Sequence, residues 1–134
     1  MALFLDTGFV LTLEDTDDQH HQKAKTFWSD FRSDPIPLIT TSYIFDETVT
    51  LIRKHLGHAR AVSVAQRLRT SPLVTLLHLS ESDFDAGWDW FERYADKKFS
   101  FTDCTSFAVM KRLKVKTALS FDKHFTQAGF DQKP

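Results

Sequence analysis

Four acidic residues, far apart in the sequence, occupy positions where a carboxylate could bind a metal ion; they are Asp6, Glu47, Asp103 and Asp122. Carboxylates that converge in a fold repel one another at neutral pH unless cations neutralise them. Hard oxygen ligands of this kind favour Mg²⁺ or Mn²⁺. Such ions act as Lewis acids and lower the pKa of bound water, so the chemistry to consider is metal-assisted catalysis.

Two of these acids follow apolar runs that predict β-strands. Asp6 comes directly after Ala2–Leu5, and Asp122 follows Thr117–Phe121. Open parallel sheets bind ligands at the carboxyl ends of their strands, so both acids are candidates for such a site. Each also has a simpler explanation. Asp6 can merely end a strand, which is the better supported reading of that residue alone, and Asp122 can belong to a surface turn.

Glu47 lies at the edge of the apolar face of a helix predicted over Ser42–Leu56. At about 100° per residue it is the neighbour of Leu51, whereas Asp46 points towards solvent. Burying an ionised carboxylate costs several kcal/mol unless a cation or metal pairs with it, so the position of Glu47 needs an explanation. The alternative is a boundary glutamate that extends into solvent or pairs with a lysine or arginine.

Asp103 lies on the apolar side of a second predicted helix, Thr102–Leu113, between Phe107 and Met110. It also lies in the first turn of that helix, where backbone N–H groups favour an anion. Ser100 and Asp103 have the spacing of a capping box. The cap and the metal ligand are equally supported by spacing, and one carboxylate can serve both roles.

The elements that must position these acids alternate between strand and helix, which predicts an α/β fold with a mostly parallel sheet. The predicted strands are Ala2–Leu5, Leu38–Thr40, Leu73–Leu79 and Lys116–Ser120, and the tail 121–130 is predicted as a loop that can end in a fifth, edge strand. Further helices are predicted over Gly8–Leu13, Asp18–Phe31 and His58–Arg69. Another helix follows Ser80, with an apolar stripe predicted to face the core, made of Phe84, Trp88, Phe91 and Tyr94.

Composition limits the kinds of protein this chain can be. Its 134 residues, 42% of them hydrophobic, fit one soluble domain over 1–134. The single Cys104 excludes an intrachain disulfide and suits a reducing compartment such as the cytoplasm. A net charge of −1 excludes a uniformly basic nucleic-acid binder, so contacts to nucleic acid must be local. The N-terminal run lacks a preceding basic region, and no segment approaches the roughly 18 apolar residues that predict a membrane span.

The sequence around the four acids resembles a known family. The segments MALFLDTGFV, TTSYIFDETVTLIRKHLG, FSFTDCTSFAVMKRLKV and ALSFDKHFTQAGF are similar, in this order, to those of PIN-domain ribonucleases. The resemblance covers essentially the whole chain. It implies a three-layer α/β/α sandwich whose central, mostly parallel sheet has four to five strands. It also implies that the quartet Asp6, Glu47, Asp103 and Asp122 is catalytic and holds one or two Mg²⁺ or Mn²⁺ ions, beside an auxiliary hydroxyl for which Thr7, Thr102 and Ser106 are the candidates.

The resemblance further implies a biological role. Many PIN proteins of this size resemble VapC toxins, which implies an endoribonuclease with an RNA substrate, a small antitoxin partner and a homodimeric state. The alternatives are a housekeeping RNA-processing nuclease without an antitoxin, and a non-catalytic scaffold whose acids are only caps and turn residues. A haloacid-dehalogenase-like phosphatase is excluded, because Gly8 stands where that family needs a second aspartate.

RNA binding needs local positive charge near the acids. The candidates fall in two clusters, Arg53, Lys54 and Arg60 after the Glu47 helix, and Lys97 and Lys98 before the Asp103 helix. For any one of them a solvated helix end is the simpler explanation. The histidines are predicted as surface or core residues, although His124, two residues after Asp122, is placed where it could touch substrate.

Overall fold

Five short parallel strands form the centre of the fold in the computed structural model, which describes all 134 residues. The strands are β1 (Leu3–Leu5), β2 (Leu38–Thr41), β3 (Val74–Leu77), β4 (Thr117–Leu119) and β5 (Asp131–Lys133). Their spatial order is β3-β2-β1-β4-β5, and every neighbouring pair is parallel. Strands β2 and β3 are added on one side of β1, and β4 and β5 are then added on its other side. Strand order therefore reverses between β1 and β4, the kind of point at which open α/β sheets bind ligands.

Helices cover both faces of this sheet. They are α1 (Thr7–Glu14), α2 (His21–Ser33), α3 (Ser42–Leu56), α4 (His58–Thr70), α5 (Glu81–Arg93), α6 (Phe101–Leu113) and α7 (His124–Gln127). Successive strand side chains point to opposite faces. Leu3 and Leu5 accordingly join a core with α1, α2 and α4, whereas Phe4 joins a second core with α6 and α7. The predicted three-layer α/β/α sandwich is confirmed. None of the helices combines the length and the apolar character needed to cross a bilayer.

The predicted aromatic stripe on α5 is wrong in its direction. Phe84, Trp88 and Phe91 are 43%, 48% and 42% exposed, whereas Tyr94, directly after the helix, packs against the second core as predicted. The helix turns its other side inward, because Gly87 lets α5 and α6 approach closely: a Cβ at this position would lie 2.6 Å from Cγ2 of Thr105. Helical periodicity groups the aromatic residues on one face correctly, but close packing through a glycine decides which face is buried.

The C-terminal tail contains more structure than predicted. Residues 124–127 form α7, and the fifth strand lies at Asp131–Lys133, just beyond the segment predicted as a loop. Phe125 of α7 is fully buried against Phe4 and Phe107, with ring centroids 6.2 and 5.3 Å away. This contact fixes the tail beside the end of β4, which places the residues around Asp122 next to β1.

Candidate active site

The four acids predicted from the sequence meet at one edge of the sheet. Asp6 follows β1, Asp122 follows β4 after two residues, and Glu47 and Asp103 lie in the early turns of α3 and α6. Because the strands are parallel, all these positions lie at the carboxyl edge of the sheet. Burial is the main reason why the pKa of Asp6 rises to about 7, although a hydrogen bond from Ser120 lowers it. The negative charges of the other three acids raise it further, so each of them is close enough to act electrostatically on Asp6.

Ser120 connects the ends of the two central strands. Its Oγ donates to Oδ2 of Asp6 at 2.7 Å and accepts from the backbone N–H of Asp122 at 2.9 Å. Ser120 is fully buried. One hydroxyl thus fixes both acids that end strands. Sequence reasoning missed this residue. The available signal was a serine directly after a predicted strand and two residues before an acid, but only the pairing of β1 with β4 shows what it contacts.

Asp103 is both a helix cap and a member of the acidic group. Its backbone N–H donates to Oγ of Ser100 at 3.0 Å, and its Oδ2 accepts from the backbone N–H of Ser100 at 3.0 Å. The capping box predicted from the spacing is therefore present. The same Oδ2 lies 2.8 Å from Nδ1 of His124. Capping leaves the carboxylate at the carboxyl edge of the sheet, so the cap and the ligand roles are compatible.

His124 lies between Asp103 and Asp122. The sequence predicted it to be an ordinary surface or core residue. Its backbone N–H donates to Oδ1 of Asp122 at 2.9 Å, and Nδ1 is 3.2 Å from Oδ2 of the same residue. The spacing of two residues from Asp122 was the only sequence signal. The position depends on α7, which the sequence analysis did not predict.

Glu47 is half-buried and reaches an open depression, whose other lining residues are Tyr43, Asp46, Thr50, Leu51 and Thr102. Asp46 itself is exposed, as its place on the helix predicted. The depression gives a ligand access from solvent to Glu47. Of the two acids that lie on helices, Glu47 is less enclosed than Asp103.

The hydroxyl candidates differ in their surroundings. Thr7 is buried and donates to the carbonyl of Ile44 at 3.5 Å, while it accepts from Thr48 at 3.0 Å. Ser106 is fully buried and donates to the carbonyl of Thr102 at 3.0 Å. Both hydroxyls are engaged within the core, and neither donates to an acid. Thr102 alone among the three lies beside Glu47, and the hydroxyl in contact with the acidic group is that of Ser120, which was not predicted.

The two basic clusters lie at different edges of the fold. Lys97 and Lys98 are exposed and directly precede the N-terminus of α6, so they lie at the edge where Asp103 is found. Arg53 and Lys54 lie in the last turn of α3, the end remote from that edge. Arg60 donates to the carbonyl of Glu14, where α1 ends, at 3.0 Å. The expectation that Arg53, Lys54 and Arg60 flank the acids is therefore wrong, because α1 and α3 both run away from the carboxyl edge.

The donor set fits a divalent cation. No lysine or arginine forms an ion pair with any of the four acids. Donor atoms of Asp103, Asp122 and His124 lie within 4.8 Å of one another. The chain leaves Oδ1 of Asp6 and Oδ1 of Asp103 without hydrogen bonds, since their donors are all on Oδ2. Carboxylate oxygens that lie close together, without a lysine or arginine partner and with one oxygen free on Asp6 and on Asp103, match the needs of Mg²⁺ or Mn²⁺.

Comparison with known proteins gives a consistent result. The profile of the PIN domain matches residues 3–131. The 23S rRNA-specific endonuclease VapC20 of Mycobacterium tuberculosis is 35% identical over 128 residues, which are 96% of this chain and 95% of that protein. The crystal structure of the Mycobacterium tuberculosis VapC20, described as a Sarcin-Ricin loop cleaving toxin, superposes with a TM-score of 0.86 at 34% identity, over 96% of this chain and 95% of that one.

Two more distant structures share the fold. VapBC-1 from nontypeable Haemophilus influenzae superposes with a TM-score of 0.69 at 12% identity, over 99% of this chain and 97% of that one. FitAcB from Neisseria gonorrhoeae superposes with a TM-score of 0.67 at 15% identity, over 100% of this chain and 97% of that one. At these identities the likeness concerns the fold alone.

Proposed function

Because this chain belongs to the PIN domain family, we propose that it is a divalent-metal-dependent endoribonuclease and the toxin of a VapBC-type toxin–antitoxin pair. The resemblance noticed in the motifs is confirmed by the family match and by a relative that spans nearly the whole chain. The observation that carries the proposal is the convergence of four acids, unpaired with lysine or arginine, at the carboxyl edge of the sheet. A scaffold without catalysis gains nothing from this arrangement, since it costs stability at neutral pH.

In this proposal Asp6, Glu47, Asp103 and Asp122 hold Mg²⁺ or Mn²⁺. The bound ions supply an activated water and stabilise negative charge on the phosphate. The chain itself fixes the ligands: Ser120 orients Asp6, and the capping box orients Asp103. Thr102 lines the same depression as Glu47 and is the remaining candidate for an auxiliary hydroxyl, which we expect to contact a substrate that enters there.

The proposed substrate is 23S ribosomal RNA, the target named for the relative with 35% identity. The test incubates the purified protein with ribosomes in Mg²⁺, in Mn²⁺ and in EDTA, and maps cut sites by primer extension. We expect cleavage at one site, in metal only. Cleavage that persists in EDTA, or the absence of any RNA cleavage by the folded protein, contradicts the proposal. Cleavage of other RNA, with 23S rRNA left intact, contradicts the substrate but not the enzyme class.

An antitoxin is the proposed protein partner, because the VapC20 structure that matches this chain at 34% identity is described as that of a toxin. The toxin role is distinguished from a housekeeping nuclease by the adjacent reading frame in the genome. We expect it to encode a small DNA-binding protein that co-purifies with this chain and suppresses its cleavage of RNA. A neighbouring gene without these properties favours the housekeeping alternative.

Lys97 and Lys98 are proposed to bind phosphates of the RNA. Replacing both with glutamine is expected to weaken RNA binding and to reduce the slope of log affinity against log salt by about 1 to 2, the effect of losing two phosphate contacts. The measurement is a salt titration of RNA binding in EDTA, which prevents cleavage. The matched control replaces Arg53 and Lys54 with glutamine; it removes the same charge at the opposite edge and leaves the slope unchanged. Equal slopes for the two double variants contradict the prediction.

A homodimer is the proposed assembly, through the exposed aromatic residues Phe84, Trp88 and Phe91 of α5. They lie at helical spacings of four and three, and an exposed apolar stripe of this kind marks an interaction surface. Exposed Glu81 and Asp85 flank it, which disfavours RNA because the phosphates would be repelled.

Charge also supports a second copy of the chain as the partner on this surface. Glu81 and Asp85 stand at the N-terminal end of α5, and exposed Arg93 stands at its C-terminal end. Two copies of α5 packed antiparallel about a twofold axis would bring these opposite charges together.

Changing Trp88 to glutamate is expected to weaken dimerisation by about thirtyfold or more, the effect of losing a central aromatic anchor worth about 2 kcal/mol. Sedimentation velocity over a range of protein concentrations measures it. The control is Val62→Glu, which adds the same charge at another exposed apolar position. A monomeric wild type, or a Trp88 variant that dimerises like wild type, contradicts this assembly.

A further inference from the structure

His124 has more contacts with the acidic group than any other residue outside it. Its ring lies 2.8 Å from Oδ2 of Asp103 and 3.2 Å from Oδ2 of Asp122, both measured from Nδ1. The backbone N–H of His124 donates to the other oxygen of Asp122 at 2.9 Å, which closes a short turn. Buried Phe99 packs against the ring in a T-shaped arrangement, with centroids 5.6 Å apart. The ring is therefore held on three sides.

The surroundings of Nδ1 assign its hydrogen. Ionised carboxylates only accept hydrogen bonds, so the nitrogen between two of them must carry a hydrogen and donate. A nitrogen that donates in this way has no lone pair for a cation. Nδ1 lies close enough to Asp103 and Asp122 to suggest a shared metal ligand, but its hydrogen bond to Asp103 makes it a donor.

Asp6 and Asp103 are each held by one oxygen, so that the other oxygen stays free. Oδ2 of Asp103 accepts from Ser100 and from His124, and Oδ2 of Asp6 accepts from Ser120. Ser100 belongs to the same helix end as Asp103 and fixes the carboxylate only to its own helix. His124 belongs to α7 and is the donor that connects the acid of α6 to the acid that follows β4.

From this geometry we propose that His124 is a positioning residue, which holds the carboxylates of Asp103 and Asp122 in register for the cation by donating from Nδ1 to Asp103 while Nδ1 also faces Oδ2 of Asp122. The proposal rests on the proposed metal-dependent function. Without the donor, two like charges face each other with nothing between them, and their side chains are free to rotate apart. Loss of a hydrogen-bond partner to a metal ligand typically lowers metal affinity or activity by about 10- to 100-fold.

Three substitutions of His124 test whether it acts by donating a hydrogen bond from Nδ1. His124→Asn places an amide N–H near the position of Nδ1, His124→Gln places one near the position of Nε2, and His124→Leu removes the donor. Mn²⁺ affinity is measured by calorimetry without RNA, and cleavage is measured in single turnover. Thermal unfolding in EDTA reports whether each variant folds. We expect the glutamine and leucine variants to bind Mn²⁺ about 10- to 100-fold more weakly than wild type. The asparagine variant should remain within about threefold of wild type, because it keeps the donor.

Several results overturn the proposal. Leucine and glutamine variants that bind Mn²⁺ like wild type show that the donor is dispensable. A folded asparagine variant as weak as the leucine variant shows that the imidazole itself is needed. Tighter binding by the leucine variant shows that the ring opposes the cation. Failure of the proposed function is recognised separately: a wild type that binds Mn²⁺ but cleaves no RNA refutes the nuclease, while the affinities still test His124. A wild type that binds no Mn²⁺ refutes both.

Discussion

Replacing Asp6 with asparagine abolishes metal-dependent RNA cleavage, with an expected loss of about 10³-fold or more in single-turnover rate, as is common when a central catalytic group is removed. Asparagine has nearly the same shape and keeps an oxygen that can accept from Ser120, which now contacts Asp6 at 2.7 Å. The fold should therefore remain, and only the negative charge is lost. Since Asp6 is the most enclosed member of the group, solvent cannot replace that charge.

The matched control for this variant is Asp46→Asn. Asp46 precedes Glu47 on α3 and is exposed, so its substitution removes one negative charge near the site without changing the buried group. We expect it to cleave RNA at the wild-type rate. Circular dichroism and thermal unfolding verify that both variants are folded. An Asp6 variant within tenfold of wild type would exclude this residue from the metal centre and, with it, the proposed mechanism.

We expect the metal-free protein to lose stability as the pH rises from about 4 to about 7. Burial, assisted by the neighbouring acids, raises the pKa of Asp6 from 3.8 to about 7 in the folded chain. Below pH 3.8 the carboxyl is protonated in both states and contributes nothing. Between these values the unfolded chain releases the proton while the folded chain retains it, so the free energy of unfolding falls with pH. The full loss is about 4 kcal/mol, at 1.36 kcal/mol for each pKa unit.

Urea unfolding at several pH values, in EDTA, measures this dependence. We expect Asp6→Asn to be more stable than wild type at pH 8 and to lack most of the pH dependence, while Asp46→Asn retains it. Mn²⁺ should restore the stability of wild type at pH 8, because an ion that binds only the folded chain shifts the equilibrium towards it. Identical pH profiles for wild type and Asp6→Asn would show that the charge on Asp6 is already compensated in the folded chain.

The sequence predicts the parts of the site that depend on one element at a time. Apolar runs that end at an acid locate Asp6 and Asp122, and helical periodicity places Glu47 and not Asp46 on the inner side of α3. The capping box of Ser100 and Asp103 is likewise a local pattern, and it is present. The resemblance to PIN domains adds the three-layer arrangement, which periodicity alone does not supply, whereas the strand order is known only from the structure.

The remaining features depend on how elements meet. Ser120 reaches Asp6 because β4 pairs with β1, and His124 reaches Asp103 because α7 packs against the second core. Arg53 was expected near the acids because it follows Glu47 in the sequence, but α3 carries it to the other edge. The direction of the α5 stripe was set by Gly87, whose close contact with α6 has no periodic signature. Each of these features depends on contacts between segments that are distant in the sequence, and local sequence patterns do not encode such contacts.

The bond between Ser120 and Asp6 spans 114 residues of sequence. A ribosome that is still translating this protein therefore carries a nascent chain whose set of acids is incomplete until residue 122 has left the exit tunnel. Long-range contacts of this kind form late, after the local ones. We therefore expect the proposed nuclease to be inactive until residue 122 has emerged from the ribosome, so that a protective partner is not needed before that point.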